Sequence, residues 1–278
     1  MESQRARTFN GLTAREWTLL SRNVWSDLSS PRQKHHLEHG AVFPLKLAQR
    51  LITIYSREGD FVFDPFLGVG TTCVAAMLLN RRSMGVELNP RFAELARLWI
   101  AERSADVAGT LEMPAVINGD CREHVKSARD VQLTVTSPPY ANFIGRSIAD
   151  RKKIHKNSLL ASENNSRVRV YSDAPNDLGN LEYPAFLDAC EDVLASIFEV
   201  TRSGGYAVWV VKDHRLPPEM PYVPLHSDLA QRAQLRGWKW HDLITWDQNA
   251  QRSLVLLGYP SRFYTNQNSS FLVVLRKP

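Results

Sequence analysis

A glycine-rich turn after a short apolar run constrains the fold of this 278-residue chain more than any other feature. Phe61-Val62-Phe63 leads into Asp64-Pro65, then Gly68 and Gly70, and then a helix-like stretch from Cys73 to Asn80. A strand, a glycine turn and a helix bring the backbone close to a nucleotide-like ligand. Cys73 stands where a dinucleotide fingerprint has its third glycine, and no Gly-Lys-Ser/Thr follows. Both that fingerprint and the phosphate-binding P-loop are therefore excluded.

Strands and helices alternate along the rest of the chain, as apolar periodicity and turn residues indicate. We predict strands near 61–64, 83–88, 115–118, 131–136, 206–212, 238–246 and 270–276, and helices near 14–25, 45–55, 70–80, 90–103, 183–201 and 227–236. The longest helix is expected to stop at Ser203-Gly204-Gly205. The pattern predicts an α/β fold in which residues 1–278 form a single domain. Its sheet is mostly parallel, with helices on both faces.

Polar residues end several of these predicted strands, at the sheet edge where α/β proteins bind ligands. Asp64, Glu87, Asp120 and Ser137 all fall at or just after a strand end. Glu87 comes about 20 positions after the glycine turn, where a carboxylate can hold ribose hydroxyls. The alternative for Glu87 is a solvated carboxylate at a strand end.

The predicted strand at 131–136 runs into Ser137-Pro138-Pro139-Tyr140. Two consecutive prolines fix φ at both positions and remove two backbone donors, and each pushes its preceding residue out of the helical region. The result is a stiff, extended turn with an aromatic ring at its end. Such a turn can accept hydrogen bonds from an amino group while the ring stacks on a flat heterocycle. An ordinary turn at the end of a strand is the alternative.

Three motifs in this order resemble those of the amino-group DNA methyltransferases, which use S-adenosylmethionine. They are Asp-Pro-Phe-Leu-Gly-Val-Gly-Thr-Thr at 64–72, Gly-Val-Glu-Leu-Asn-Pro at 85–90 and Thr-Ser-Pro-Pro-Tyr at 136–140. The similarity also includes residues 39–45 upstream, and 258–260 and 271–276 near the end, so that it covers roughly residues 31–278.

The resemblance implies a Rossmann-like class I methyltransferase fold with a seven-stranded, mostly parallel sheet, and S-adenosyl-L-methionine as the cofactor. The cofactor residues that it implies are Asp64, Phe66, Gly68, Gly70, Thr71, Thr72, Glu87 and Asp120. Among these, Glu87 is expected to hold the ribose and Asp120 the adenine amino group. A local helix cap is an equally strong alternative for Asp120. The implied catalytic residues are Ser137, Pro138, Pro139 and Tyr140.

A basic segment interrupts the pattern between Tyr140 and Tyr183. Its basic residues are Arg146, Arg151, Lys152, Lys153, Lys156, Arg167 and Arg169. A charge run is often only a solvated surface, but lysine and arginine also supply the sequence-independent share of DNA affinity. We interpret residues 141–182 as an inserted basic loop that contacts DNA or recognises the target, and residues 1–35 as a basic N-terminal arm. The stretches 215–222 and 248–268 are further candidates for recognition.

Ser137 and the resemblance together predict methyl transfer to N4 of cytosine in duplex DNA, with the target base flipped out of the helix. In this family serine before Pro-Pro-Tyr usually goes with cytosine N4, and aspartate or asparagine with adenine N6. Adenine N6, an RNA substrate and a subunit that binds without catalysis are the alternatives. Methylation at carbon 5 needs a cysteine nucleophile, in that family on a Pro-Cys turn, and none of Cys73, Cys121 and Cys190 follows a proline. The cofactor motifs precede the Ser-Pro-Pro-Tyr motif, whereas many N4-cytosine enzymes carry the opposite order.

The formal net charge of +5 suits a polyanionic partner. We expect that partner to be double-stranded DNA, with a cognate restriction endonuclease as a candidate partner in a restriction-modification system. Three scattered cysteines form neither a disulfide framework nor a metal-binding pattern. The N-terminus has no apolar signal core, and no stretch is long enough to cross a membrane. These features predict a cytoplasmic protein with reduced cysteines and no metal.

Overall fold

The computed structural model describes residues 8–28, 39, 42–107, 112–141, 174, 177–215, 221–252, 254 and 256–278. The strands of these ranges are β1 Val24–Trp25, β2 Phe61–Asp64, β3 Arg82–Glu87, β4 Ala115–Asn118, β5 Val131–Thr136, β6 Thr201–Val211, β7 His214–Arg215, β8 Tyr222–Val223, β9 Lys239–Asp247 and β10 Ser269–Arg276. β7 and β8 pair as a separate ribbon, and the other eight strands form the central sheet.

The central sheet has the strand order β1-β9-β10-β6-β5-β2-β3-β4. Its neighbouring strands are parallel except at β10, which runs antiparallel to both β6 and β9. The prediction of a mostly parallel α/β sheet is therefore confirmed. An eighth strand, β1, joins the expected seven at the edge, where Val24 and Trp25 pair with Thr245 and Trp246. A two-residue strand is too short to leave a periodicity in the sequence.

The helices of the described residues are α1 Ala14–Leu20, α2 Leu45–Tyr55, α3 Thr71–Leu78, α4 Pro90–Ser104, α5 Cys121–His124, α6 Tyr183–Val200 and α7 Leu225–Leu235. α1 is shorter than the predicted helix at 14–25, since Trp25 belongs to β1. Its start is fixed by a capping box between Thr13 and Glu16. None of these helices combines the length and the apolar character that crossing a bilayer requires.

Alternate residues of the central strands face two different helical layers, because successive side chains in a strand point to opposite faces. Val62, Leu133 and Val208 are fully buried on the face that α2 and α3 cover. Phe63 and Trp209 are buried on the other face, against α6 and α7. The sheet is thus covered on both faces, as the sequence predicts.

The prediction that Ser203-Gly204-Gly205 stops the longest helix is wrong. α6 ends at Val200, and β6 begins with the next residue, so these three residues lie inside a strand. Gly204 has φ +78°, and the pairing of β6 with β5 shifts register in this region. The glycines therefore serve as an irregularity within β6, where a positive φ is tolerated without a Cβ.

The helix α3 begins at a glycine that the fold requires for two separate reasons. Gly70 caps α3 with φ +96°, in the left-handed region that disfavours other residues. A Cβ added to Gly70 would also lie 3.0 Å from the Cβ of Ala96 in α4. The turn at Gly70 therefore lets α3 and α4 pack closely.

We predict that Gly70→Ala lowers the free energy of unfolding more than Gly59→Ala. Gly59 also has a positive φ, of +82°, but its added Cβ would meet nothing within 4 Å. The control Gly59→Ala should lower the free energy of unfolding by about 1–2 kcal/mol through backbone strain alone. Gly70→Ala should lower it by about 1 kcal/mol or more beyond that, because the added Cβ overpacks the contact with Ala96. Urea denaturation of both variants measures the difference. Equal losses would show that the contact with Ala96 relaxes freely.

Candidate active site

The carboxyl ends of β2, β3, β4 and β5 meet at one edge of the sheet, because these four strands are parallel neighbours. Asp64 and Glu87 are the last residues of β2 and β3. Asp120 lies two residues after β4, and Ser137 directly follows β5. The four polar residues that the sequence places at strand ends thus come to the same edge.

Asp64 is buried and joins three segments of this edge through its carboxylate. One oxygen accepts hydrogen bonds from the Thr136 hydroxyl at 2.6 Å and from the Phe66 amide at 3.0 Å. The other oxygen accepts a bond from the Thr72 hydroxyl at 2.6 Å. Burial raises the pKa of Asp64 to about 6, although all three hydrogen bonds act in the opposite direction. The end of β2, the start of α3 and the end of β5 are therefore fixed relative to one another.

Glu87 holds the glycine turn against the end of β3. Its carboxylate accepts hydrogen bonds from the Gly68 amide at 2.7 Å and from the Asn89 amide at 2.8 Å. Burial is the largest cause that raises the pKa of Glu87 to about 7, and these backbone hydrogen bonds lower it. Glu87 is therefore a carboxylate at the strand end that is partly withdrawn from solvent, and its other lone pairs can accept further hydrogen bonds.

Asp120 caps the short helix α5, which was the alternative that the sequence left open for it. Its carboxylate accepts a hydrogen bond from the Arg122 amide at 3.0 Å. The Arg122 guanidinium also donates to it, with an Nε–Oδ1 distance of 3.0 Å. Asp120 lies at the same edge as Glu87, so capping α5 does not exclude contact between its carboxylate and a ligand.

The turn at 137–140 lies beside a histidine of the β7–β8 ribbon. The Tyr140 ring contacts the His214 ring edge to face, with 5.2 Å between centroids. Burial raises the pKa of Tyr140, while a hydrogen bond with the Ser137 side chain lowers it. Pro138 is buried, whereas Ser137 and Tyr140 keep partial exposure. The turn is thus fixed by packing, and the Ser137 side chain stays partly exposed to solvent.

A cleft lies along this edge and is open to solvent. Five residues of the predicted cofactor set line it: Phe66, Gly68, Thr71, Glu87 and Asp120. Ser137, Pro138 and Pro139 of the predicted catalytic turn line the same cleft.

The remaining members of the predicted sets lie elsewhere. Asp64, Gly70 and Thr72 are buried and do not line the cleft, and their contact with the cofactor stays a prediction. Their spacing in the motif reflects packing of the turn, which sequence alone does not separate from ligand contact. Tyr140 lies beyond the lining, next to His214. The predicted DNA-binding residues Arg146, Arg151, Lys152, Lys153, Lys156, Arg167 and Arg169 lie outside the described residues.

The cleft also contains residues that the sequence did not single out. His39 and Phe43 come from the segment upstream of α2, and Asp177 and Leu178 from the segment before α6. For His39 and Phe43, the available signal in the sequence was the family resemblance at residues 39–45. Asp177 carried no signal, because it lies within the predicted 141–182 loop, where the sequence has no periodicity that would place a residue at the sheet edge.

The groups along the cleft fit S-adenosylmethionine, the cofactor that the resemblance implies. Among the described residues, the Thr71 hydroxyl is buried, lines the cleft and has no hydrogen-bond partner. An unsatisfied buried polar group calls for an explanation, and a polar ligand supplies one. Glu87 and Asp120 add carboxylate acceptors for hydroxyl and amino groups, while Phe66 and Leu88 add apolar surface for a flat ring.

We predict that Thr136→Val lowers the free energy of unfolding by about 1–3 kcal/mol, because it leaves the buried Asp64 carboxylate short of one hydrogen bond. Thr134→Val on the same strand is the matched control. The Thr134 hydroxyl is equally buried and, within the described residues, has no hydrogen-bond partner. The control should therefore be neutral or slightly stabilising. Chemical denaturation distinguishes the two, and equal effects would contradict the structural role of Asp64.

We predict that Glu87 makes the ligand-free protein more stable as the pH falls from about 7 toward 5. The folded state binds a proton at Glu87 with a pKa of about 7, against 4.5 for the ordinary group. Between these values the folded state holds more protons than the unfolded chain, so stability decreases as the pH rises.

Comparing unfolding free energies of wild type and Glu87→Gln at several pH values tests this prediction. The wild-type advantage should grow by up to about 1 kcal/mol per pH unit on acidification. Glu102→Gln, at an exposed position of α4, controls for the loss of a charge. A difference that stays constant over this pH range would contradict the raised pKa.

Comparison with known proteins finds similarity to DNA methyltransferases over part of the chain. Residues 4–98 match the family model described as DNA methylase. The type II methyltransferase M.MthZI from Methanothermobacter thermautotrophicus is 44% identical over 84 residues, which are 29% of this chain and 24% of that protein. The orphan methyltransferase M.BamHII from Bacillus amyloliquefaciens is 41% identical over 78 residues, 27% of this chain and 29% of that protein. The chain thus spans about a quarter of the length of these curated relatives.

Comparison of structures supports the fold. The crystal structure of TrmN from Thermus thermophilus aligns with a TM-score of 0.52 at 15% identity, covering 90% of this chain and 55% of that chain. At this identity the match concerns the architecture alone, a Rossmann-like methyltransferase fold. In the matched part, the family model and the curated relatives show that the chain is similar to the amino-methyltransferases, and the groups along the cleft fit their cofactor, S-adenosylmethionine.

Proposed function

We propose that this protein is a site-specific DNA methyltransferase that transfers a methyl group from S-adenosylmethionine to N4 of cytosine in duplex DNA. One observation carries the proposal: candidate cofactor groups and the Ser-Pro-Pro turn line a single cleft. A donor and an acceptor held side by side are what a direct transfer needs, because positioning supplies most of the rate enhancement.

The cofactor end of the cleft is assigned to β3, β4 and the glycine turn. Glu87 accepts the ribose hydroxyls through lone pairs that its bonds to the Gly68 and Asn89 amides leave available. Asp120 receives the adenine amino group through lone pairs that its bonds to Arg122 leave available. The Thr71 hydroxyl, which has no partner among the described residues, bonds the methionine part. In the bound state the cofactor supplies a sulfonium methyl group as the electrophile.

The acceptor end of the cleft is assigned to the 137–140 turn. An exocyclic amino group is a poor nucleophile, because its lone pair is delocalised into the ring. Ser137 can donate its hydroxyl proton to Tyr140 and still accept a bond from the amino group, since a hydroxyl has two lone pairs. The Pro138 carbonyl accepts the second amino hydrogen. Both bonds turn the nitrogen lone pair toward the methyl group, and Tyr140 stacks on the flipped base. As the nitrogen–carbon bond forms, the bond from the methyl carbon to sulfur would break, S-adenosylhomocysteine would leave, and one amino proton would pass to water, to which the cleft is open.

The cysteines argue for an amino nitrogen over carbon 5 as the acceptor. Cys121 lines the cleft, but burial raises the pKa of its thiol far above the ordinary value. The thiolate is the nucleophilic form of cysteine. A thiol held protonated in this way is a poor nucleophile, which supports direct transfer to an amino nitrogen.

The choice of cytosine rests on Ser137 at the head of the turn, because the family association links serine there to cytosine N4. Adenine N6 is the second candidate, since the matching family model and the curated relatives cover amino-methyltransferases without separating the two bases. A cognate endonuclease stays a prediction. M.MthZI is named a type II methyltransferase, whereas M.BamHII is named an orphan methyltransferase.

Incubation with methyl-labelled S-adenosylmethionine and either unmethylated duplex DNA of mixed sequence or RNA tests the proposal. Digestion to nucleosides should place the label in N4-methylcytosine from DNA. Label in N6-methyladenine would overturn the choice of base, and label in RNA alone would overturn the choice of substrate. Tight cofactor binding without transfer to any nucleic acid would overturn the assignment as an enzyme.

We predict that Ser137→Ala lowers kcat on the order of 100-fold, because it removes a hydrogen bond that acts on the reacting nitrogen. Its affinity for S-adenosylmethionine, measured by calorimetry, should change little. Tyr140→Phe keeps the ring and loses the bond to Ser137, so it should retain more activity than Tyr140→Ala. An unchanged kcat in Ser137→Ala would contradict the role of this serine.

A further inference from the structure

The segment 248–268 joins β9 to β10 at the same edge of the sheet as the candidate active site. β10 runs antiparallel to β6 and β9, so β9 is parallel to β6 and ends where the parallel strands end. Asp247 pairs with Ser269 at the base of the segment. The segment therefore lies at the sheet edge that carries the cleft.

This segment carries an unusual concentration of exposed apolar side chains, which we name the apolar tip: Leu254, Leu256, Tyr259 and Phe263. Their exposed fractions are 78%, 78%, 76% and 91%. These are the four most exposed large apolar side chains of the described residues, and they fall within ten consecutive positions. Single exposed apolar residues are normal in a folded protein. A cluster beside a binding cleft instead indicates an interaction surface.

The tip is held in a defined shape. The amides of Ser261 and Arg262 both donate to the Gly258 carbonyl, at 3.0 and 2.8 Å. Gly258 has φ +75°, and a Cβ there would clash with the carbonyl oxygen of Arg262 at 2.2 Å. The turn therefore depends on glycine, and it directs Tyr259 and Phe263 outward.

Neighbouring aromatic contacts anchor the tip to the ribbon that follows β6. The Tyr264 ring packs on the Arg215 guanidinium at 5.0 Å, and the Tyr222 ring packs on the same group at 5.2 Å. The Tyr222 hydroxyl donates to the buried Asp213 carboxylate at 2.6 Å. A surface anchored in this way loses little conformational entropy when a partner binds.

The charge of the segment selects an anionic partner. Residues 248–268 contain two arginines, Arg252 and Arg262, and neither aspartate nor glutamate. The charge of Arg252 reaches the candidate active site. It is a secondary cause, after burial, that lowers the pKa of Lys212 to about 8, and it also acts on Tyr140. Positive charge around exposed rings suits a partner with phosphates and stackable bases.

We propose that the apolar tip contacts duplex DNA around the target base, with Tyr259 and Phe263 packing against bases that become exposed when the target is extruded. This inference rests on the proposed function and adds the element that contacts the opened duplex. Apolar side chains that insert between base steps are an established means of stabilising deformed DNA. Exposed rings at the sheet edge that carries the cleft are placed for that contact.

Binding of mixed-sequence duplex DNA by Phe263→Ala and Tyr259→Ala, with and without a mismatched base pair, tests the inference. Each variant should bind the mismatched duplex roughly tenfold more weakly than wild type, as the loss of one stacking contact implies. Leu235→Ala is the matched control, because Leu235 is 75% exposed but lies on α7. The control should bind like wild type, and all variants should retain their affinity for S-adenosylmethionine.

The salt dependence of DNA binding distinguishes the contribution of the aromatic rings from that of the arginines. Phe263→Ala should leave the slope of log affinity against log salt unchanged, while Arg262→Gln should reduce it by about one. Wild-type affinity in both ring variants would overturn the inference. So would a change in oligomeric state without a change in DNA binding, because the tip would then contact a second copy of the chain.

These experiments distinguish a failure of the proposed DNA contact from a failure of the proposed function. Absence of methyl transfer to any nucleic acid would overturn the function but leave the contact intact if Phe263→Ala still weakens DNA binding. Normal transfer together with unaffected DNA binding in the ring variants would overturn the contact alone.

Discussion

The buried carboxylate of Asp64 is the interaction on which the geometry of the candidate active site depends. It lies at the end of β2 and bonds Thr72 at the start of α3 and Thr136 at the end of β5. A carboxylate withdrawn from water is stable only when its lone pairs are satisfied. These bonds therefore fix the glycine turn and the Ser-Pro-Pro turn at a set separation. Asp64 does not line the cleft, but it positions both turns that do.

Glu87 complements this arrangement on the open side of the edge. Its carboxylate binds the Gly68 amide, so the group assigned to the ribose also shapes the turn beneath the cofactor. The rigid parts of the site come from the parallel strands and their first turns, whereas the parts assigned to DNA contact come from longer connections. This division is common in α/β proteins, where loops at the strand ends carry specificity on a fixed scaffold.

The sequence predicted most helices and strands closely, because apolar periodicity and capping signals are local. Asn89 and Pro90 begin α4 as a cap and a first-turn proline. The errors have tertiary causes. Ser203 to Gly205 are turn-forming residues that the structure uses inside β6, where strand pairing outweighs local preference. β1 exists only because β9 offers it a free edge.

The sequence by itself determined the fold class, the order of the motifs and the residue types at the strand ends. Those features follow from local periodicity and from backbone constraints such as the two prolines of the 137–140 turn. Only the tertiary structure decided which motif residues line the cleft and which support it from behind, as Phe66 and Asp64 show. It also decided that the apolar tip lies at the sheet edge that carries the cleft. Both outcomes depend on packing between segments distant in sequence, and a linear pattern does not encode the direction in which each side chain points.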